Sequence, residues 1–324
     1  MYPIKLESLL NHKEYIRKPI LFLSCLSFEQ RCKTALRNIN AIQNSDIHWK
    51  FFRLKDNGSH YEKECLSLQN DIVREIRELF GIENQDIPEY DLFDAQPWEE
   101  IISYYKKIIE DNPNIETVII DITTIPKICY FKFLKWLLQE GLENRDLIIC
   151  YTKPEEYGDS KLESDPIKPS LLIGNLESGN DILWIPSLGF KSAFTKIILD
   201  KIRESDREVE KKIMPMIGFP AYRPDYFDKV LILHVKEGDQ ELNKSLENPI
   251  LAAADNPFDV YAQLIKIINN NRGKNIILSP LGPKPMSIGL ALVAIRENLP
   301  VLTIQARTYH PDYSKGESLY SAPA

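Results

Sequence analysis

Four short segments place hydroxyl, carboxylate and cationic side chains where a chain turns from an apolar run into a helical pattern. Ser279-Pro-Leu-Gly-Pro-Lys-Pro-Met-Ser287 is the most informative. Gly282 permits a turn that side-chained residues resist, the prolines stiffen it, and Lys284 stands at a helix entrance near the positive end of the dipole. With Ser279 and Ser287, this makes an anion-binding turn. Asp121-Ile-Thr-Thr-Ile-Pro-Lys127 is its counterpart: Asp121 could bind a hydroxyl or amide, Thr123 offers a hydroxyl, and Lys127 matches Lys284. Ser24-Cys-Leu-Ser-Phe-Glu-Gln-Arg31 adds Ser24 and Ser27, Glu29 as an acid, base or ribose ligand, and Arg31 as a phosphate ligand. Ser187 occupies the matching turn in the second half, where Lys191 replaces Glu29. Each residue has a plainer reading as well. Thr123 or Thr124 would cap the following helix, Ser27 with Gln30 has capping-box spacing, and Glu29 suits a first helical turn.

Other chemistries lack their residues. No Gly-x4-Gly-Lys-Ser/Thr phosphate loop and no Gly-x-Gly-x-x-Gly fingerprint occurs in the sequence. The five cysteines are scattered without a Cys-x-x-Cys pair, and the histidines show no i, i+4 pairing, so neither a zinc site nor a disulfide framework is expected. A Ser or Cys nucleophile with a His distant in sequence stays open. The expectation is that no cofactor and no metal is used.

The turns belong to a repeated scheme. ILFLSCLSF (20–28) matches ILWIPSLGF (182–190), and QPWEEIISYYKKIIEDN (96–112) matches NPFDVYAQLIKIINNN (256–271). TVIIDITTIPKICYF (117–131) matches NIILSPLGPKPMSIG (275–289), and LIICYTKPEEY (147–157) matches LTIQARTYHPDY (302–313). Four blocks in one order at nearly constant offset indicate an internal duplication. At the offset that aligns Lys127 with Lys284, Leu278 takes the place of Asp121. Each half alternates short apolar strands with amphipathic helices, which predicts an α/β fold of two tandem Rossmann-like parallel-sheet units. The expected division is 1–157, a linker at 158–180, and 181–324. A helix is expected from about Phe28 to Asn40, strands at 88–94 and over KIMPMIGF, and helices from Lys191, Phe258 and Met286. VLILHV (230–235) fits a strand or a buried helix. In such sheets ligands bind beyond the carboxyl ends of the strands, which puts all four turns on that edge. Tyr309 and Tyr313 follow the last strand and could stack on a base, as could Tyr222 and Tyr226.

Composition bounds the partners. The chain of 324 residues carries 40 basic and 47 acidic side chains for a net charge of −7, which disfavours nucleic acid as the main partner. With 44% apolar residues it can build a core, and no apolar run approaches the ~20 residues of a membrane span. The polar start, Met1 to Lys18, lacks a signal peptide's apolar stretch, so a cytoplasmic protein away from membranes is expected.

The pattern Asp121, Thr123, Lys127 after a strand, with the run Gly282, Lys284, Met286, Ser287, resembles the CRISPR-associated Rossmann-fold (CARF) sensor domains. That resemblance implies a cyclic-oligoadenylate ligand held between two Rossmann units, both supplied here by one chain, and a role in prokaryotic antiviral defence. The second half departs from the pattern, having Leu278 and Pro280, and the repeats occupy nearly the whole chain, whereas CARF proteins commonly append an effector. Three functions follow as expectations. The chain binds a nucleotide-like anion as a sensor reporting to an effector partner; or it cleaves or transfers a nucleotide, nucleoside or sugar-phosphate using Asp121 or Glu29; or it is a non-catalytic assembly subunit.

Overall fold

The computed structural model describes residues 16–40, 46–55, 60–81, 87–91, 97–142, 144–157, 163–166, 169–176, 181–205, 210–236 and 239–316. The chain divides into two units, one comprising 4–165 with 306–324 and the other chiefly 166–305. The C-terminal segment thus groups with the first half.

In the first unit five parallel strands, β1 (Ile20–Leu26), β2 (Ile47–Lys55), β3 (Glu89–Asp91), β4 (Thr117–Asp121) and β5 (Asp146–Cys150), lie in the order β3-β2-β1-β4-β5. All seven residues of β1 are buried, Ser24 among six apolar ones, as befits a strand covered on both faces. The connecting helices are α1 (Thr34–Asn40), α2 (Glu62–Phe80), α3 (Pro97–Asp111) and α4 (Lys127–Trp136). α2 buries Cys65, Gln69, Ile72, Val73 and Ile76, one helical face, and ends on Gly81 at φ +64°, the left-handed cap that glycine supplies. The first crossover differs from expectation. Gln30–Lys33 form a 3₁₀ turn before α1, and the Ser27–Gln30 capping box is not made, because Glu29 holds the cap position with its carboxylate turned to Arg31. Two short strands follow β5: β6 (Glu156–Tyr157) and β7 (Glu163–Pro166).

The second unit repeats the order. β9 (Ile182–Ser187), β11 (Met216–Gly218), β12 (Ile250–Ala252), β13 (Asn275–Pro280) and β14 (Val301–Thr303) form β12-β11-β9-β13-β14, all parallel. β8 (Ser170–Ile173), inside the expected linker, joins β14 antiparallel at the edge. The expected KIMPMIGF strand is interrupted: β10 (Lys211–Ile213) and β11 both pair with β9, and Pro215 between them has no amide for the ladder. The helices are α5 (Ser192–Ser205), α6 (Pro224–Lys236), α7 (Gln240–Ser245), α8 (Pro257–Asn270) and α9 (Lys284–Glu297). VLILHV falls in α6. Val230 and His234 are buried while Ile232 and Val235 are about half exposed, a period of four rather than two. His234 lies wholly inside, its Nδ1 2.9 Å from the Val230 carbonyl and its Nε2 3.0 Å from the Thr195 hydroxyl. α9 is the central helix, buried over most of its length, and Gly289 lets α8 approach. A Cβ there would stand 2.5 Å from the Pro257 carbonyl. Beyond β14, β15 (Ala306–Tyr309) pairs with β7, and β16 (Ser314–Lys315) pairs antiparallel with β6.

One staple in this unit carries a pH signature. Arg203 of α5 bonds both oxygens of Asp239, at 2.7 and 3.2 Å, and Asp239 caps α7 by accepting from the Leu242 amide at 3.0 Å. Burial acts to raise the Asp239 pKa, but Arg203 and the Leu242 amide outweigh it and hold the carboxyl below its ordinary value. Its stabilisation is therefore complete above the ordinary carboxylate pKa and fades as pH falls through the lower folded value. Asp239→Ala is expected to lower urea stability by about 1 kcal/mol at neutral pH. The gap should shrink once the wild-type carboxyl is protonated; an unchanged gap in acid would contradict this role.

Candidate functional site

In a 3-2-1-4-5 sheet the strand order reverses between strands 1 and 4, leaving a crevice beyond their carboxyl ends. Here these pairs are β1 with β4 and β9 with β13. Ser24 pairs with Asp121, and in the second sheet Pro186 pairs with Ser279. Both ladders open on equivalent residues, Ile20 opposite Thr117 and Ile182 opposite Asn275. The counterpart of Asp121 is therefore Ser279, not Leu278, which is a core residue opposite Ile185. The turn from strand to helix is one residue shorter in the second unit, so Lys127 and Lys284 still coincide as the first residues of α4 and α9.

The first unit's edge holds a continuous hydrogen-bonded chain. Asp121, fully buried, accepts from the Thr123 amide at 2.9 Å and from the Thr123 hydroxyl on the same oxygen, Oδ1. Thr123 Oγ1 accepts from the Thr152 amide at 2.9 Å, and the Thr152 carbonyl accepts from Arg31 Nη1 at 2.9 Å. Arg31 Nε and Nη2 both donate to Glu29 Oε2, at 2.9 and 2.8 Å, with the two side chains only 5% and 10% exposed. Ser314 of the C-terminal segment donates to the same carboxylate. Burial works to lower the Arg31 pKa, but Glu29 together with the Tyr151 and Tyr157 hydroxyls raises it above its ordinary value, so the guanidinium stays charged. The two tyrosine hydroxyls lie 3.2 Å apart. Thr124 donates to the Cys25 carbonyl at 2.6 Å. Neither threonine caps α4, whose cap is Pro126. Ser24 Oγ is buried with no hydrogen-bond partner among the described residues. Ser27 is half-buried, and its carbonyl lies 4.0 Å from the Cys32 thiol, which burial pushes up to about 12 and so keeps protonated.

The second unit's edge is braced by its own turns. Ser187 Oγ donates to the Ser279 carbonyl at 3.4 Å and accepts from the Gly282 amide at 3.2 Å, while Ser279 Oγ accepts from the Trp184 indole at 2.9 Å. A Cβ on Gly189 would meet the Leu281 carbonyl at 2.5 Å, so the two turns interlock through glycine. Ser287, buried, donates to the Pro283 carbonyl at 3.1 Å. These hydroxyls, expected as ligand contacts, hold the loops. Tyr222 and Tyr226 flank Arg223, which pairs with Asp225 and lies 5.5 Å from the Tyr226 ring; that ring packs edge-on against Phe190 at 4.9 Å. Tyr309 groups with the first half's unit, where its carbonyl lies 3.7 Å from the Cys65 thiol and His310 packs edge-on against Tyr61 at 4.4 Å. The Tyr313 side chain lies outside the described residues.

Sequence reasoning missed Thr152, Tyr151, Tyr157 and Ser314. The first three sit in the polar YTKPEEY segment directly after β5, whose position at a strand's carboxyl end was the available signal. Ser314 had none, because nothing local announces that the C-terminal segment returns to the first unit.

Among the described residues no group of three or more His, Cys, Asp or Glu could hold a metal ion, and no helix is long and apolar enough to cross a membrane. No family model matches the chain, and no curated protein does. Among solved structures it is similar to a functionally unknown protein from Pseudomonas aeruginosa PAO1, with 13% identity over 92% of this chain and 95% of the other, at a TM-score of 0.28. A score that low carries no argument about function.

Proposed function

We propose that the chain binds a nucleotide or related anionic ligand at the carboxyl edge of its Rossmann-like sheets and acts as a sensor, reporting to a separate effector protein. One observation carries the reading: in both units a lysine is the first residue of the helix that follows strand 4, at the crevice where the strand order reverses. Binding is favoured over turnover by what holds the candidate acids. Glu29 is tied to Arg31, and Asp121 Oδ1 already takes two hydrogen bonds from Thr123, so both serve as structural anchors rather than poised bases. The lysines and helix dipoles then supply charge complementary to phosphate. The resemblance to CARF domains selects cyclic oligoadenylates as the first probes and an antiviral setting for the partner.

Thermal unfolding of the full chain against linear and cyclic nucleotides, with the ligands recovered for mass spectrometry, tests this. A ligand at about 100 times its Kd adds about 2.7 kcal/mol of stability. We expect a shift with intact ligand, lost in Lys127→Ala or Lys284→Ala. Consumed ligand would replace the sensor reading with an enzymatic one, and no shift across the panel would replace it with an assembly role.

A further inference from the structure

A second basic feature lies away from the strand 1/strand 4 crevice. Arg53, Asn70, Val73, Arg74, Arg77 and Glu78 line an open groove of about 630 Å³ beside α2 in the first unit, a volume suited to a nucleotide-sized ligand. Three arginines and one glutamate are among its lining residues, in a chain whose net charge is −7.

The arginines differ in what already holds them. Arg53, near the carboxyl end of β2, donates to Asn70 Oδ1 at 2.9 Å and pairs with Glu89 of β3. Burial lowers its pKa, a sign that its charge is poorly solvated. Arg74 pairs at 2.7 Å with Asp71 on the exposed surface of the same helix. Arg77, one turn on, has its Nε buried with no hydrogen-bond partner among the described residues. A buried donor without an acceptor is unfavourable, and two like charges at i, i+3 on one helix repel. An anion in the groove relieves the repulsion, held by the part of the Arg77 guanidinium that lines it rather than by the buried Nε. A phosphate suits it best, because its oxygens match the planar donor fork of arginine two at a time, and the buried Val73 beneath offers an apolar floor for the rest of a small ligand.

We propose that this groove is a binding site for a small phosphate-bearing ligand of nucleotide size, with Arg77 as its principal phosphate donor and Arg74 and Arg53 flanking it. The site stands independently of the one proposed above. It is built on β2 and α2 on the β3 side of the sheet, whereas Lys127 follows β4, two strands over.

The test uses arginine Nε–H NMR correlation spectra of the full chain titrated with inorganic pyrophosphate, the Arg77 resonance being assigned by its disappearance in Arg77→Lys. A saturable shift of that resonance is expected, with affinity falling at least tenfold in Arg77→Gln and severalfold in Arg74→Gln, whose exposed side chain leaves folding intact. Lys127→Ala should leave this titration unchanged, which separates the groove from the crevice. Unchanged affinity in both arginine variants, or binding removed by Lys127→Ala instead, would overturn the assignment. So would a short single-stranded RNA that binds through these arginines where pyrophosphate does not, since that would make the groove a polyanion surface.

Discussion

Arg31→Met is expected to destabilise the first unit by about 3–5 kcal/mol, because it leaves the Glu29 carboxylate buried without its cation. In a unit of this size that lowers Tm by roughly 6–20 °C, measurable by calorimetry or urea unfolding. The figure follows from burial: the pair is only 5% and 10% exposed, and the guanidinium also carries the Thr152 carbonyl. An exposed ion pair would be worth about 1 kcal/mol or less. Replacing both partners, Arg31→Met with Glu29→Leu, should recover much of the loss, since two apolar groups leave no orphaned charge. A single-variant loss below about 1 kcal/mol would mean that water reaches the pair. Arg31 would then be available to a ligand phosphate, as the sequence alone suggests.

That contrast shows what the sequence makes legible. The strands nearest the site are unbroken apolar runs ended by polar residues, and they occur twice, so β1, β4, β9 and β13 and the helices after them are readable from pattern alone. The Rossmann-like order follows because alternating strands and helices have few acceptable arrangements. What each polar side chain touches is another matter. Ser187, Ser279 and Ser287 look like ligand hydroxyls, and in the structure Ser187 and Ser287 also bond backbone groups of the turns, while the Ser279 hydroxyl accepts from the Trp184 indole. The pairing of Asp121 with Leu278 failed for a separate reason. A constant offset runs through a turn that is one residue shorter in the second copy, so it aligns the helices and misaligns the strands. α6 was ambiguous because an apolar run of six fits either period, and only the exposure of Ile232 and Val235 decides it. The return of 306–316 to the first unit is a long-range event with no local signature.

The largest remaining effect is expected at Asp121, where stability and ligand binding should fall together. Asp121→Ala removes the acceptor of two hydrogen bonds inside the protein, each about 1.5–3 kcal/mol when the acceptor is charged, and strands the Thr123 amide. A loss of about 3–5 kcal/mol is expected. Thr123 in turn anchors the Thr152 amide, and through Thr152 the Arg31 guanidinium, so the loop leading to Lys127 loses its tether as well. Asp121→Asn keeps a carbonyl oxygen to accept from Thr123 and puts an amide NH2, a donor, where Oδ2 stood. If Asp121 is an anchor, the Asn variant should fold with most of the wild-type stability and bind the nucleotide-like ligand nearly as tightly, while the Ala variant loses both. If Asp121 is instead a base or a ligand to a hydroxyl, the Asn variant should fold normally and yet lose turnover or affinity by a hundredfold or more. Measuring the melting temperature and the ligand affinity of both variants together decides between the two roles. The carboxylate's place inside the hydrogen-bonded chain from Thr123 to Glu29 favours the anchor.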